Sequence, residues 1–304
     1  MRNPASRASI CVEVTRGDVV EARHVLHAVV LRDERVELVA GNAQLVTYLR
    51  SSAKPIQALP VARARPELDD EQLAVMCASH RATPEQLTVV RRLLAAAPAT
   101  EEDLECGGAS PIEHNCSGKH AGFLALCRAE GWPTRGYSRL EHPCQQTVVR
   151  ELASLAGLDP SSMPVGVDGC GVPTLAMTLE RAALVFARLR GDEAGRRVCA
   201  ATQAHPELLL GPVDLDARLV SRLDGWVAKG GAEGLFCAAS ADGLALANQV
   251  RGRVVPRSGN GARPRPRTGR GRHSAPRRRR RPVESRRARR RAPHRRLTET
   301  TDHR

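Results

Sequence analysis

The sequence predicts an α+β domain in which strands from the two ends of the chain share one mainly antiparallel sheet around a helical middle region. Three observations predict it: β-branched runs near the N-terminus, amphipathic segments in the middle, and strand-like runs again after about residue 234. This order is typical of folds in which helices cover an antiparallel sheet. We expect residues 1–250 to form the domain and residues 251–304 to form a tail.

Runs of β-branched residues predict the strands. The first are ASICVEV and HVLHAVVLRDERVELVAG, and a polar turn at 32–35 divides the second run, which predicts a hairpin. Two further runs, GLFCAAS and GLALA, lie on either side of Asp242 and Gly243. The sequence therefore places strands at both ends of the domain.

Four amphipathic segments predict helices in the middle of the chain. The first begins with TPEQ at 83–86, a capping box with proline at the first helical position. Apolar residues then recur at helical spacing, at Leu87, Val90 and Leu94. The other three predicted helices lie in QQTVVRELASLAG, TLAMTLERAALVFARLR and DEAGRRVCAATQA.

Composition limits the class of protein. Hydrophobic residues make up 41% of the chain and aromatic residues only 2%, so we expect a mainly aliphatic core. The stretch MRNPASRASICVEV lacks the apolar run of a secretory signal, and the sequence has no stretch of about 18 apolar residues to span a membrane. Nine cysteines without disulfide-like spacing are typical of reduced thiols. We therefore expect a cytoplasmic protein.

The tail carries the basic character of the chain. It holds twenty-one arginines and three acids, a net charge of +18, whereas the whole chain has +14 and residues 1–250 therefore have −4. Because it lacks apolar periodicity, we expect it to be disordered. One interpretation is a tail that binds polyanions, although it has no aromatic residues for base stacking. The other is a shifted reading frame, which the nucleotide sequence downstream of codon 250 tests.

Ser51 and Lys54 form the first candidate for catalysis. The chain has three lysines against forty-four arginines, and a buried lysine, unlike arginine, can lose its proton and act as a base. A helix that begins near Ser52 puts the two side chains one turn apart at the positive end of the helix dipole. Pro55 favours this position because proline is tolerated in the first helical turn. The alternative is a helix cap followed by a solvated lysine.

Two other segments combine thiols with polar groups. NCSGKHAGFLALC contains Cys116, Lys119 and His120, and VDGCGVP contains Asp168 and Cys170. Two thiolates and a neutral lysine can hold zinc, but Cys-x-x-Lys is not a usual metal motif. Cysteines far apart in sequence are more often plain buried residues. On spacing alone, both interpretations stay open.

Ser79 and His80 precede the helix predicted from residue 84. They either cap that helix or add a second hydroxyl to the same cleft. Lys229, the third lysine, lies in the glycine-rich segment VAKGGAEG.

Taken together, these motifs resemble the rhizobial-type asparaginases, also called the asparaginase II family, from about residue 12 to about residue 247. The segments that carry the resemblance are VEVTRG, YLRSSAKPIQALP, CASH, CSGKHAGFLA, EHPCQQ, DGCGVPTLAM, HPELL and KGGAEG. The resemblance implies a fold similar to serine β-lactamases and glutaminases. It implies hydrolysis of the side-chain amide of L-asparagine to L-aspartate and ammonia.

The resemblance also implies roles for individual residues. Ser51 matches the nucleophile, Lys54 its base, and Ser79 the serine of a second Ser-Lys pair. Zinc, in a structural or modulatory role, is implied by the match of Cys116, Lys119 and Cys170 to its ligands. Substrate-binding residues are implied at Arg50, His120 and Asp168.

One departure from the family is expected. The second Ser-Lys pair takes its lysine from a strand near the C-terminus, and no lysine follows Lys229 in this chain. Arg251 cannot act as a base, so the sequence predicts that the second pair is broken and Ser79 idle.

Two other functions compete with an active asparaginase: another small-molecule amidase, and an impaired product that lacks its last strands. The expected partners are L-asparagine and a second copy of the chain in a homodimer. We expect no membrane contact, and nucleic acid would bind only non-specifically through the tail.

Overall fold

The structure is a computed structural model that describes residues 5–209 and 214–254. The predictions of disorder and of a shifted reading frame concern the tail, which from residue 255 onward lies outside the described residues. No helix of the described part is long and apolar enough to cross a membrane.

Ten strands are found in the described residues. In chain order they are β1 (Ala5–Arg7), β2 (Ile10–Arg16), β3 (Val19–Arg32), β4 (Arg35–Ala40), β5 (Val46–Tyr48), β6 (Val165–Val167), β7 (Pro173–Thr178), β8 (Trp226–Gly230), β9 (Leu235–Ser240) and β10 (Leu244–Val254).

Strands from both ends of the chain share the main sheet, as predicted. Its order is β1-β4-β3-β10-β9-β8, and β2 pairs with β3. β10 pairs antiparallel with β3, where Ala247 faces Val29, and with β9 along its other edge. A smaller sheet has the order β5-β7-β6. The α+β class and the largely antiparallel pairing are therefore confirmed.

The predicted hairpin at 32–35 joins β3 to β4. Asp33 and Glu34 both have positive φ, at 48° and 62°. Two-residue turns of this kind match the twist of the flanking strands.

Ten α-helices are described. They are α1 (Lys54–Gln57), α2 (Leu59–Ala64), α3 (Asp70–Cys77), α4 (Pro84–Ala96), α5 (Ser117–Ala129), α6 (Pro143–Ala156), α7 (Leu179–Ala187), α8 (Glu193–Ala204), α9 (Pro206–Leu209) and α10 (Leu215–Val220).

Three of the four helix predictions are confirmed over most of their length, as α4, α6 and α8. Thr83 and Gln86 form the predicted capping box of α4, and Gly157 ends α6 with φ 62°. The fourth prediction is wrong in its first third. Residues 174–178 belong to the buried strand β7, and α7 begins only after Thr178, whose hydroxyl accepts a hydrogen bond from the N–H of Arg181. Strand pairing on both sides of β7 decides the conformation there, against the local helical pattern.

The core is mainly aliphatic, as expected, with Phe123, Phe186 and Tyr137 among the few aromatic side chains inside it. α7 packs against β3, β9 and β10, so it covers one face of the main sheet. The middle helices pack against one another, α3 against α5 and α8. The candidate site lies between these middle helices, the helical turns that follow β5, and the end of β8.

Candidate active site

The segment that follows β5 turns sharply before the first candidate serine. Arg50 has a positive φ of 50°, a conformation that costs a non-glycine residue roughly 1–3 kcal/mol and is found mainly at functional sites. A 3₁₀ helix then runs over Arg50–Ala53 and leads directly into α1. The N–H of Ser51 lies in its first turn, where helix amides have no acceptor within the helix. The predicted helix start at this motif is therefore confirmed.

Ser51 opens into a cavity of about 310 Å³. The polar side chains that line it are Ser51, Ser79, Asn115, Asp214, Asp216 and Lys229. Two hydroxyls, one ammonium group and two carboxylates thus surround a space large enough for a small polar substrate.

Lys54 is buried behind this cavity and is bound to the second serine. Its Nζ donates hydrogen bonds to the hydroxyl of Ser79 at 3.1 Å, to the carbonyl of Asn115 at 3.2 Å and to the carbonyl of Ala78. Burial lowers the pKa of Lys54 to about 8. A proton acceptor is therefore available, but the sequence analysis expected it to pair with Ser51, and no hydrogen bond joins these two side chains in the described part of the chain.

Lys229 is the second lysine near this site, and it lines the cavity. It lies on β8, which is itself one of the C-terminal strands of the main sheet, and its side chain is 2% exposed. Its Nζ donates to Asp216 Oδ2 at 2.5 Å and to the carbonyl of Gly230 at 2.9 Å. The lysine of the second pair was expected on a later strand, but β8 already borders the cavity. That the second Ser-Lys pair is broken stays a prediction.

Two glycines after Lys229 allow β8 to approach the serine segment. A Cβ atom on Gly231 would lie 2.8 Å from the carbonyl oxygen of Leu49 and 3.0 Å from Ser52 Oγ. Ser52 Oγ also donates a hydrogen bond to the carbonyl of Lys229 at 3.0 Å. Close contact between these two backbones therefore positions Ser51 opposite Lys229.

The thiols and the amine predicted to bind zinc meet in one place. Lys119 Nζ donates a hydrogen bond to Cys170 Sγ at 3.0 Å. The interaction between the thiols of Cys116 and Cys170 is the main cause of a lowered pKa at Cys116 and of a raised pKa at Cys170. All three side chains are at most 5% exposed. Among the described residues no three His, Cys, Asp or Glu side chains form a metal cluster, so a site here depends on the amine as third donor. Nitrogen and sulfur donors in one buried cluster fit zinc.

The predicted substrate-binding residues are not placed together at the cavity. Arg50 Nε donates to Asp168 Oδ1 at 2.7 Å, so these two charges neutralise each other. Arg50 lines a larger neighbouring cavity of about 500 Å³, which shares Ala232 with the serine cavity but has no lysine in its lining. His120 is fully buried; its Nδ1 shares a hydrogen bond with the Tyr137 hydroxyl, and burial holds its pKa well below the usual range.

His80, which follows Ser79 in the sequence, is buried and held by hydrogen bonds at both of its ring nitrogens. Its Nε2 shares a hydrogen bond with Ser117 Oγ at 2.8 Å, and its Nδ1 accepts one from the N–H of Ala82 at 3.1 Å. Burial lowers the pKa of His80 to about 4. The neutral imidazole therefore joins the loop before α4 to the start of α5.

Sequence reasoning missed Asp216 and Asn115 as cavity residues. Asp216 lies in α10 and Asn115 just before α5, and neither belongs to a motif that indicates chemistry. The scarcity of lysine, which drew attention to Lys54, applied equally to Lys229 and was the available signal for it.

Comparison with known proteins places the chain among amide hydrolases. A model of the family described as L-asparaginase II matches residues 12–252. No curated protein matches the chain.

Several solved structures are similar over part of the chain. One is that of Mglu in its native form, 14% identical, covering 74% of this chain and 58% of that chain with a TM-score of 0.44. Another is a probable glutaminase from Bacillus subtilis bound to 6-diazo-5-oxo-L-norleucine, at 12% identity, 74% and 76% coverage, and a TM-score of 0.34. A third is a β-lactamase from Mycobacterium bovis, at 16% identity, 74% and 86% coverage, and a TM-score of 0.32. The chain thus spans just over half the length of Mglu, and these likenesses are too remote to transfer any residue role.

Proposed function

The chain belongs to the L-asparaginase II family of amidohydrolases, and we propose that it hydrolyses the side-chain amide of L-asparagine to L-aspartate and ammonia. The observation that carries the proposal is one cavity that combines two serine hydroxyls with a buried lysine. Ser51 and Ser79 line it, and Lys54 is bound to the Ser79 hydroxyl. A hydroxyl beside a lysine that can give up its proton is the arrangement required for nucleophilic attack on an amide.

Ser51 is the proposed nucleophile. It lines the cavity, and its own N–H lies in the first turn of a 3₁₀ helix. An oxyanion formed on the amide carbonyl oxygen can accept a hydrogen bond from such a free amide. The family pattern implies the same residue. Ser79 is the alternative nucleophile, because it is the hydroxyl that Lys54 actually contacts.

Lys54 is the proposed proton acceptor, and Ser79 relays the proton to it. Ser51 Oγ attacks the amide carbon, and its proton passes through the Ser79 hydroxyl to the neutral amine of Lys54. Lys54 then returns this proton to the departing ammonia as the C–N bond breaks. Water next attacks the aspartyl ester, gives one proton to Lys54, and Ser51 regains that proton when aspartate leaves.

Arg50 and Asp168 are proposed to frame the site. Their ion pair at 2.7 Å fixes the guanidinium next to Ser51 and supports the strained backbone at Arg50. The hydroxyl of Thr174 accepts a hydrogen bond from the N–H of Arg50 at 3.0 Å, which holds the same turn. We therefore assign them to the geometry of the nucleophile, since each charge is already paired.

Cys116, Lys119 and Cys170 are the residues that would hold zinc. A bound zinc ion would supply positive charge and would fix the N-terminal end of α5 beside the segment that contains Asn115. In the proposed reaction the backbone carbonyl oxygen of Asn115 accepts a hydrogen bond from the amine of Lys54 and so orients it.

The test separates the two serines. Purified wild type, Ser51→Ala and Ser79→Ala are incubated with L-asparagine, quenched with acid and measured by intact-protein mass spectrometry. We expect an aspartyl adduct on the wild type and on Ser79→Ala, and none on Ser51→Ala. An adduct on Ser51→Ala that Ser79→Ala lacks would make Ser79 the nucleophile. A wild type that releases no aspartate from asparagine would contradict the proposed substrate, and release of glutamate from glutamine would then favour the other amidase.

A further inference from the structure

A second cavity, with a volume of about 500 Å³, adjoins the serine cavity, and Ala232 borders both spaces. Its lining comes from β5 and the turn that follows it, from the turn between β8 and β9, and from β10. Among the described residues that border it there is neither a serine nor a lysine. The proposed hydrolysis therefore gives this space no function.

A buried amide joins the walls of the second cavity. Gln249 on β10 is 2% exposed. Its Oε1 accepts a hydrogen bond from the Thr47 hydroxyl at 2.7 Å, and its Nε2 donates to the backbone carbonyl of Glu233. β5, β10 and the turn before β9 are thus held together by one side chain. The protein's own contacts keep the cavity open, as is usual for sites that bind small molecules.

Glu233, in the lining of this cavity, has a strained backbone. It has φ 59° and ψ 25°, in the left-handed region. Strain of this kind at a non-glycine residue persists only where the surrounding structure enforces it, and it is concentrated at active sites and ligand-binding sites. The other strained residue of the lining, Arg50, belongs to the turn before Ser51. Glu233 borders only the second cavity, so its strain indicates a function there.

A positive and a negative side chain border the cavity close to each other. Glu233 precedes Gly234, and Arg251 follows Val250. A Cβ atom on Gly234 would lie 3.0 Å from Val250 Cβ, so the two charged residues extend from a point of close contact.

Both charges are available to a ligand. Arg251 Nη2 donates to the backbone carbonyl of Val46 at 3.0 Å. Within the described part of the chain, neither Arg251 nor Glu233 forms an ion pair. Arg50 is neutralised by Asp168. The lining thus offers one guanidinium group and one carboxylate.

We propose that this cavity is a second ligand site, which binds a free α-amino acid with an apolar or aromatic side chain. Arg251 binds the α-carboxylate, because its planar fork matches a carboxylate, and Glu233 binds the α-ammonium group. Val46, Tyr48 and Val250 also line the cavity and contact the ligand's side chain. A zwitterion satisfies both charges at once, whereas a ligand with a single charge leaves one of them without a partner.

Binding of L-phenylalanine tests the proposal, because this amino acid has no side-chain amide to be hydrolysed. Isothermal titration calorimetry measures the Kd of the full chain for L-phenylalanine, for L-phenylalaninamide, which lacks the carboxylate, and for N-acetyl-L-phenylalanine, which lacks the ammonium group. The proteins are wild type, Arg251→Met and Glu233→Gln. Arg150→Met and Glu141→Gln, at exposed positions in and just before α6, are the matched controls.

We expect the wild type to bind one L-phenylalanine per chain and to bind each derivative about tenfold or more weakly, the usual effect of losing a hydrogen bond between charged groups. Arg251→Met should bind L-phenylalanine as weakly as its amide but still prefer it to the N-acetyl derivative. Glu233→Gln should show the opposite pattern. Both controls should bind as the wild type does, and thermal melts verify that every variant is folded.

Three results would overturn the inference. The first is a wild type that binds no L-phenylalanine at millimolar concentration. The second is an unchanged Kd in folded Arg251→Met and Glu233→Gln, which would place the ligand elsewhere. The third is equal affinity of the wild type for L-phenylalanine and both derivatives, since the two charges would then not recognise the ligand. Failure of the proposed hydrolysis is recognised separately, by the release of aspartate from L-asparagine.

Discussion

The amine of Lys54 lies 3.1 Å from the hydroxyl of Ser79, which follows the C-terminal end of α3. Ser51 is only three positions from Lys54 in the sequence, yet its hydroxyl is not among the hydrogen-bond partners of this amine in the described residues. The contact is made because α1 and α3 pack against each other and bring the end of α3 over the lysine. Ser79 itself is held by a backbone hydrogen bond from its N–H to the carbonyl of Leu209 at 3.0 Å. Two segments distant in sequence therefore build the proposed proton-transfer pair.

Lys54→Arg should abolish turnover while keeping the positive charge. Arginine stays protonated at neutral pH and cannot accept a proton. The contribution of general-base catalysis, roughly 10²–10⁴ in rate, is therefore lost. Steady-state kinetics with L-asparagine measures the effect, and Lys54→Met is the companion variant without charge. Turnover that survives in Lys54→Arg and disappears in Lys54→Met would mean that Lys54 supplies charge alone.

Ser79→Ala should slow formation of the acyl-enzyme without preventing it. The relay hydroxyl is lost, and we expect a decrease in kcat of about 10²-fold, within the usual contribution of one proton-transfer group. Rapid-quench measurement of the aspartyl adduct separates this step from ester hydrolysis. An unchanged rate of adduct formation would remove Ser79 from the proton path.

Cys116→Ser and Cys170→Ser should each lose bound zinc. The two thiols and Lys119 are the converging donors, and structural thiolate ligands contribute directly to folding. Metal content by plasma mass spectrometry and the thermal midpoint are measured before and after treatment with a chelator. Cys11→Ser, at an exposed cysteine on β2, is the control. Equal metal content in all three variants would contradict the site.

Gly231→Ala should reduce both stability and activity. The added Cβ would lie 2.8 Å from the Leu49 carbonyl oxygen, so β8 must move away from the segment that carries Ser51. We expect a loss of roughly 1–3 kcal/mol in the free energy of unfolding, as is usual for overpacking. Gly169→Ala is the matched control, because its Cβ would meet no atom within 4 Å. Equal denaturant midpoints for the two variants would show that β8 and the segment with Ser51 are not in tight contact at Gly231.

Acid should destabilise the protein in part through His80. Its folded-state pKa of about 4 lies below its usual value of 6.5, so the unfolded chain binds the proton first. The stability contribution is complete above pH 6.5 and is lost as pH falls towards 4, by at most roughly 3 kcal/mol. In His80→Asn, whose carbonyl oxygen can still accept from the Ala82 N–H, this part of the pH dependence should be absent. Urea unfolding at several pH values measures it, and parallel curves for both proteins would contradict the prediction.

The sequence was sufficient for elements whose signals are local. The capping box at Thr83, the hairpin at 32–35 and the helix start at Ser51 depend on neighbouring residues, and all three are found. The sequence was insufficient where pairing between distant segments determines the secondary structure. Residues 174–178 have a helical pattern but form β7, because β5 and β6 bind both of its edges.

The same difference applies to the site. Ser51 and Lys54 were predicted because a scarce residue type and a familiar spacing drew attention to them, and Ser79 because it precedes a helix and matches the family pattern. Which hydroxyl meets Lys54, and whether Lys229 reaches the cavity, depends on packing between α1, α3 and β8 that no short motif records. Asp216 gives no signal in the sequence at all, because its contact with Lys229 joins a helix to a strand.

The position of β10 has a consequence for biosynthesis. β8 and β9 reach β3 only through β10, which pairs with β9 over residues 245–249 and with β3 over residues 244–254. During translation, β3 and the segment with Ser51 and Lys54 emerge from the ribosome first, and β8 with Lys229 joins their sheet only after β10 has emerged. Such late, long-range closure is slow, and nascent chains halted shortly before residue 244 should lack the strand that brings Lys229 to the serine cavity.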